Sequence, residues 1–211
     1  ATALGRHPDC HLGATKEPRF FAGFEGTTWT GPGSGGFAAS LVRDEAAYEA
    51  SFAGLSPGSW AIDASTDYLW REEAVQRIAR YAAGRRVKLA CIVREPVDRA
   101  ISEYNHTLSA GMETLSFTDA IAAEEARRQA HFHPLFYHAR RSRMREDIHR
   151  FRHVFGPDLL VLGYADLADM PATLARLCDH LGIAPPPCTE PVRKNQRYLP
   201  RNRAASAVLS S

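Results

Sequence analysis

Short apolar runs of strand length alternate with stretches of helical period along this chain. Four runs fit buried strands, at about residues 10–15, 60–65, 88–93 and 159–163, each rich in apolar residues and followed by polar or charged positions. Between and after them the spacing predicts helices over about 71–83, 97–110, 118–130, 141–155 and 170–181. The last carries Leu174, Leu177, Cys178 and Leu181 on one stripe, is ended by Gly182, and cannot continue through Pro185, Pro186 and Pro187. This alternation is the signature of an α/β domain with a mostly parallel sheet, in which ligands sit at the carboxyl ends of the strands. Residues 1–5 read as the end of a helix. The glycine-rich stretch GFEGTTWTGPGSGGF, residues 23–37, reads as a mobile surface loop, with Trp29 either stacking on a substrate or pinning the loop. It lacks the preceding strand and the G-K-[ST] ending of a phosphate-cradling loop.

Composition narrows the class. With 211 residues and 45% hydrophobic content the chain can build a core, which argues against intrinsic disorder. Lys and Arg number 26 against 24 Asp and Glu, a net charge of +2, so anion binding must be local and a nucleic-acid partner is not expected. Only Lys16, Lys88 and Lys194 are lysines, a bias typical of GC-rich genomes, and a bacterial source is expected. The four cysteines show no C-x-x-C spacing, which fits a reducing cytoplasm. No run approaches the ~18 apolar residues of a membrane span and no signal segment opens the chain, so a cytoplasmic protein without membrane insertion is expected. Basic residues gather at the carboxyl end, residues 189–211, where Arg193, Lys194, Arg197, Arg201 and Arg203 face only Glu190.

The segment KLACIVREPVDRAISEY, residues 88–104, is the richest in chemistry. A buried strand delivers Arg94 at its carboxyl end, Pro96 sits where a helix can begin, and Ser102 lies about two turns along it. An arginine fork and a hydroxyl can then converge on one anion, with Arg99 adding charge; alternatively, Arg94 simply pairs with Glu95 or Asp98. His131 and His133 form H-x-H, and His149 and His153 stand at i, i+4 on a helix. Neither pair has a third ligand at matching spacing, so no metal is expected.

REPVDRAISEY resembles the 3′-phosphate-binding motif of PAPS-dependent sulfotransferases, R-x-P-x-x-R-x-x-S, and in particular the heparan sulfate and related bacterial branch. The resemblance implies that Arg94 and Ser102 hold the 3′-phosphate of PAPS. Lys16-Glu17-Pro18-Arg19-Phe20-Phe21 is similar to the family's K-E-x-x-F-F, which implies Glu17 as catalytic base and Lys16 as a nearby cation; the plainer alternative is an exposed turn with Phe20 and Phe21 as core. The segment Asp63-Ala64-Ser65-Thr66-Asp67-Tyr68 resembles the end of the family's E-K-S-x-x-Y, with Ala64 in place of a lysine used in catalysis. Ala22 stands where an acidic residue is often found. These two departures argue against heparan sulfate as acceptor. The passage from Ala139 to Leu167 resembles the family's last helix and strand, with Ser142 matched and Met144 replacing a tyrosine. RKNQRYLPRNR is similar to the basic loop that closes over the nucleotide, which makes Arg193 and Lys194 further candidates. His106, just after the Ser102 turn, is a fallback base.

The fold implied is a P-loop NTPase-like three-layer α/β domain with a central parallel sheet, occupying residues 1–211. The family's opening strand and its K-x-G-T-x-x-L loop are missing from this sequence, so an N-terminally incomplete domain with poor stability and little activity is expected. The expected activity is transfer of a sulfuryl group from PAPS, with PAP as product, to a hydroxyl of a carbohydrate, glycolipid or other metabolite. A nucleotide-dependent kinase on the same scaffold and a degenerate PAP-binding or interaction domain are the alternatives.

Overall fold

The structure is a computed structural model, in which residues 3–185 are described. In chain order the elements are β1 (Cys10–Leu12), α1 (Ser34–Ala39), α2 (Glu45–Ala50), β2 (Trp60–Ile62), α3 (Glu72–Ala82), β3 (Leu89–Val93), α4 (Pro96–Ser109), α5 (Phe117–Ala122), α6 (Glu124–Gln129), α7 (His138–Ser142), α8 (Met144–Phe155), β4 (Leu159–Gly163) and α9 (Met170–Leu181). All four expected strands are present. They form two separate parallel pairs, β1 with β2 and β3 with β4, where one continuous central sheet was expected. The register sets Leu12 beside Ile62 and Val93 beside Gly163, so each pair releases two loops at one edge. β1 is shorter than its apolar run suggests, because beyond Gly13 the chain turns away and the Ala14 N–H donates to Ser51 O at 2.9 Å.

Chain contacts divide the described residues into two units. The first takes the residues up to Thr27, Ser40–Arg94 and the residues from Met144 onward; the second takes Thr28–Ala39 and Glu95–Arg143. In the first unit Phe20, Phe21, Tyr48, Val75, Ile78, Phe151 and Leu159 form one core cluster. A second cluster joins Leu4, Cys10 and Trp60 to the α9 stripe of Leu174, Cys178 and Leu181. α9 has its expected bounds: Asp169 caps it by accepting the Ala172 N–H at 3.0 Å, and Gly182, at φ 69°, ends it in the left-handed conformation open to glycine.

Two expected helices are each broken, for identifiable reasons. The run 118–130 divides at Ala123 into α5 and α6. Buried Glu124 then accepts the N–H groups of Ala139 and Arg140 at 2.7 and 2.9 Å, so its carboxylate caps α7. The run 141–155 breaks at Arg143, after the Ser142 hydroxyl has bonded back to His138 O at 2.6 Å.

The glycine-rich stretch is anchored rather than loose. Thr30 donates to His131 O and Ala130 O at 2.9 and 2.5 Å, Phe37 stacks on His133 at 5.2 Å, and the His133 Nε2 sits 2.6 Å from Pro32 O. Trp29 meets the edge of Phe37 at 5.6 Å and so pins the segment. Gly33 is needed there, since at φ 79° any Cβ would collide with Met112 Sδ. Among the described residues no helix is long and apolar enough to cross a membrane.

Candidate active site

The edge of the β1–β2 pair gathers most of the polar chemistry of the first unit. Because the strands are parallel and in register, the loop after β1 (Gly13 to Arg19) and the loop after β2 (Asp63 to Asp67) leave side by side. The second loop is fixed by Asp63. Its Oδ1 accepts the Ser65 N–H and hydroxyl at 2.9 and 2.7 Å, and its Oδ2 accepts the hydroxyls of Tyr68 and Tyr48 at 2.5 and 3.2 Å. Burial, and then the Asp63 carboxylate, push both phenols well above the usual tyrosine range, so they act here as donors.

The first loop is held by Arg19. Its N–H donates to Ser65 Oγ at 2.9 Å, and its Nε to Asp67 Oδ2 at 2.6 Å. Nη1 donates to Glu17 O and Ser40 Oγ, each at 3.1 Å, and Nη2 to Glu17 Oε2 at 2.7 Å. Asp67 is fully buried, and its Oδ1 accepts the Trp70 Nε1–H at 3.1 Å. Glu17 and Arg19 both adopt left-handed backbone, at φ 51° and 54°, on either side of buried Pro18. Two such non-glycine residues in one motif mark a backbone that its surroundings over-determine.

Glu17 itself is partly open, with 22% of its side chain exposed. Oε2 accepts from Arg19 and, at 3.3 Å, from the Thr66 hydroxyl, while Oε1 has no hydrogen-bond partner among the described residues. Lys16 beside it is exposed. Phe20 and Phe21 are core, stacked at 4.6 Å or edge-on at 5.1 Å to Tyr48. Of K-E-P-R-F-F, the two phenylalanines are core, while Lys16 and Glu17 stay open to solvent.

The β3–β4 edge carries Arg94. In-register pairing of Val93 with Gly163 places Arg94 and Tyr164 next to one another, with the guanidinium 4.8 Å from the ring centroid. Tyr164 is half exposed and escaped the sequence reading, although an aromatic directly after the last strand was visible there. Arg94 ends the first unit and Glu95 opens the second, where Glu95 caps α4 by accepting the Asp98 N–H at 2.9 Å and Pro96 fills the first turn. On α4, Ser102 and His106 are exposed, whereas Arg99 is engaged with Glu103 at 3.1 Å and Ser142 at 3.4 Å. Arg193 and Lys194 lie outside the described residues.

The second unit also holds a buried polar group that the sequence did not announce. Glu113 takes both Arg127 Nη atoms at 2.6 and 2.9 Å and the N–H groups of Thr114 and Leu115 at 2.9 Å. Burial pushes its carboxyl up, but these donors outweigh burial and hold it below the usual range. His138 stands 3.9 Å from it, fully buried, and burial lowers the imidazole to about 4. His149 and His153 are exposed on α8, and no group of three His, Cys, Asp or Glu among the described residues is placed to hold a metal.

No protein-family model matches the chain, and no curated protein matches it. Among solved structures, the crystal structure of a sulfotransferase from Alicyclobacillus acidocaldarius is similar to it at 31% identity, over 92% of this chain and 79% of that one, with a TM-score of 0.82.

Proposed function

Because this chain belongs to the sulfotransferase family, we propose that it moves a sulfuryl group from PAPS to an acceptor hydroxyl, with Glu17 as general base. The reading is supported above all by the Glu17 carboxylate, which has Oε2 anchored by Arg19 and Thr66 and Oε1 open at the carboxyl edge of a parallel strand pair. When bound, PAPS supplies an activated sulfuryl group and a phosphate leaving group. Glu17 Oε1 accepts the proton of the acceptor hydroxyl as its oxygen bonds to sulfur; the bond from sulfur to the phosphate oxygen breaks, and PAP leaves. General bases of this kind contribute about 10²–10⁴ in rate.

Lys16, exposed next to Glu17, supplies positive charge near the transferring group. Arg94 and Ser102 hold the 3′-phosphate, an assignment that rests on R-E-P-V-D-R-A-I-S. Tyr164 keeps the Arg94 guanidinium at the strand edge. Arg99 orders the same turns of α4 through Glu103, and Arg193 with Lys194 add charge from the basic carboxyl segment. Ala64 in place of lysine directs the acceptor away from heparan sulfate and toward another carbohydrate, a glycolipid or a hydroxylated metabolite.

Thermal shift with PAP and with ADP tests the donor. The two share adenosine and its first 5′-phosphate; ADP adds a second phosphate there, and only PAP carries the 3′-phosphate. Stabilisation by PAP alone, abolished in Arg94→Ala, is expected; equal shifts with both ligands count against PAPS as donor.

A further inference from the structure

Arg19 occupies a variable position of the K-E-x-x-F-F pattern, yet it makes five hydrogen bonds that shape the motif. Its guanidinium holds Glu17 twice, once at the peptide carbonyl and once at Oε2. The first contact restrains the left-handed turn, and the second selects which carboxylate oxygen is occupied. The guanidinium is itself immobilised from behind by Asp67, whose other oxygen is taken by Trp70. Its main-chain N–H is fixed by Ser65, which Asp63 holds, and the hydroxyls of Tyr68 and Tyr48 hold Asp63 in turn. Only 12% of the Arg19 side chain is exposed.

Resting on the reading of Glu17 as base, we infer that Arg19, buttressed by Asp67, is the positioning residue that presents Glu17 Oε1 to the acceptor. A glutamate in left-handed backbone before a proline has no local reason to stay there, because the residue before proline favours extended backbone. The planar fork of arginine can hold a carbonyl, a carboxylate and a buried aspartate at once, which the single point charge of lysine cannot. Arg19 does not touch the reacting atoms. It acts through the placement of Glu17, and misplacement on the scale of an ångström costs about 10²-fold in rate.

The test compares Arg19→Gln, Arg19→Lys and Asp67→Asn with wild type and with Glu17→Gln in the full-length protein. Transfer of label from [35S]PAPS to n-octyl β-D-glucopyranoside gives kcat and KM, and far-UV circular dichroism melting checks the fold. Arg19→Gln is expected to lower kcat about 10- to 100-fold, with the KM for PAPS within about twofold, and to add nothing in a Glu17→Gln background. Arg19→Lys should recover only part of the loss. Should Arg19→Gln fail to fold, Arg19→Lys and Asp67→Asn carry the comparison. Crystal structures of the folded variants need no acceptor: Glu17 leaving its left-handed conformation supports the inference. Glu17 unmoved, kcat unchanged, or losses that multiply in the Glu17→Gln background overturn it. Unchanged turnover in Glu17→Gln alone overturns the base assignment, and the positioning role with it.

Discussion

Two of the arginine–glutamate pairs among the described residues have opposite character. Arg127 meets Glu113 at 2.6 and 2.9 Å with the carboxylate fully enclosed, and the Thr114 and Leu115 N–H groups bond to it as well. Arg19 meets Glu17 at 2.7 Å, but that carboxylate keeps one oxygen open and part of its surface wet. Enclosed and held by four donors, the Glu113 carboxylate is out of reach of any acceptor molecule, so its pair orders its unit. The half-satisfied pair leaves an oxygen open for the proton transfer proposed for Glu17. The strain differs as well: left-handed non-glycine backbone flanks Pro18 at both Glu17 and Arg19 and is absent at Glu113 and Arg127.

The comparison is broken most forcefully at Glu17. Glu17→Gln keeps the size and one acceptor oxygen, so kcat should fall about 10²–10⁴-fold while the melting temperature stays close to wild type. Arg127→Ala should do the reverse, costing about 3–5 kcal/mol of stability by stranding a buried charge, as read from urea unfolding. In protein that remains folded, the KM for PAPS should be the less affected quantity.

Acidification gives a smaller effect confined to the second unit's pair. Folded His138 binds its proton only near pH 4, whereas an exposed imidazole does so near 6.5. Between these values the unfolded chain holds more protons, so stability is complete above about pH 6.5 and declines as the pH falls toward 4. The decline should be on the order of 2–3 kcal/mol, and His138→Leu should flatten it. Glu113, held below its ordinary range, adds a further loss below that range. The smallest change is expected for Thr66→Val. It removes one long hydrogen bond to Glu17 Oε2 and should lower kcat only a few-fold, about 0.5–1.5 kcal/mol. An effect of Thr66→Val equal to that of Arg19→Gln would show that the two anchors of Oε2 are equivalent.

Much of this arrangement was legible from residue order. The strand positions, the junction from Arg94 through Pro96 into α4, and the α9 stripe with its Gly182 stop follow from local rules, and the structure has them. Glu17 was identified through its motif, but its partners were not. Thr66, which reaches Glu17, and Asp67, which reaches Arg19, lie about fifty residues away and come near only because β1 and β2 pair in parallel. Local periodicity also ran straight through Ala123 and Arg143, where a buried carboxylate and a back-bonded serine end helices that apolar spacing alone would continue. The anchoring of the glycine-rich stretch was likewise hidden, since it depends on His131, His133 and Phe37 meeting across a hundred residues.

Trp70 gives the site a native optical reporter. Its indole N–H ends on the carboxylate that braces Arg19, and the ring lies 5.3 Å from the Arg71 guanidinium in an otherwise enclosed setting. Emission from an indole shifts with the charge and polarity around it. With Trp29 and Trp60 replaced by phenylalanine, the remaining fluorescence registers rearrangement of the bracing carboxylate directly, in unmodified solution and without a coupled assay.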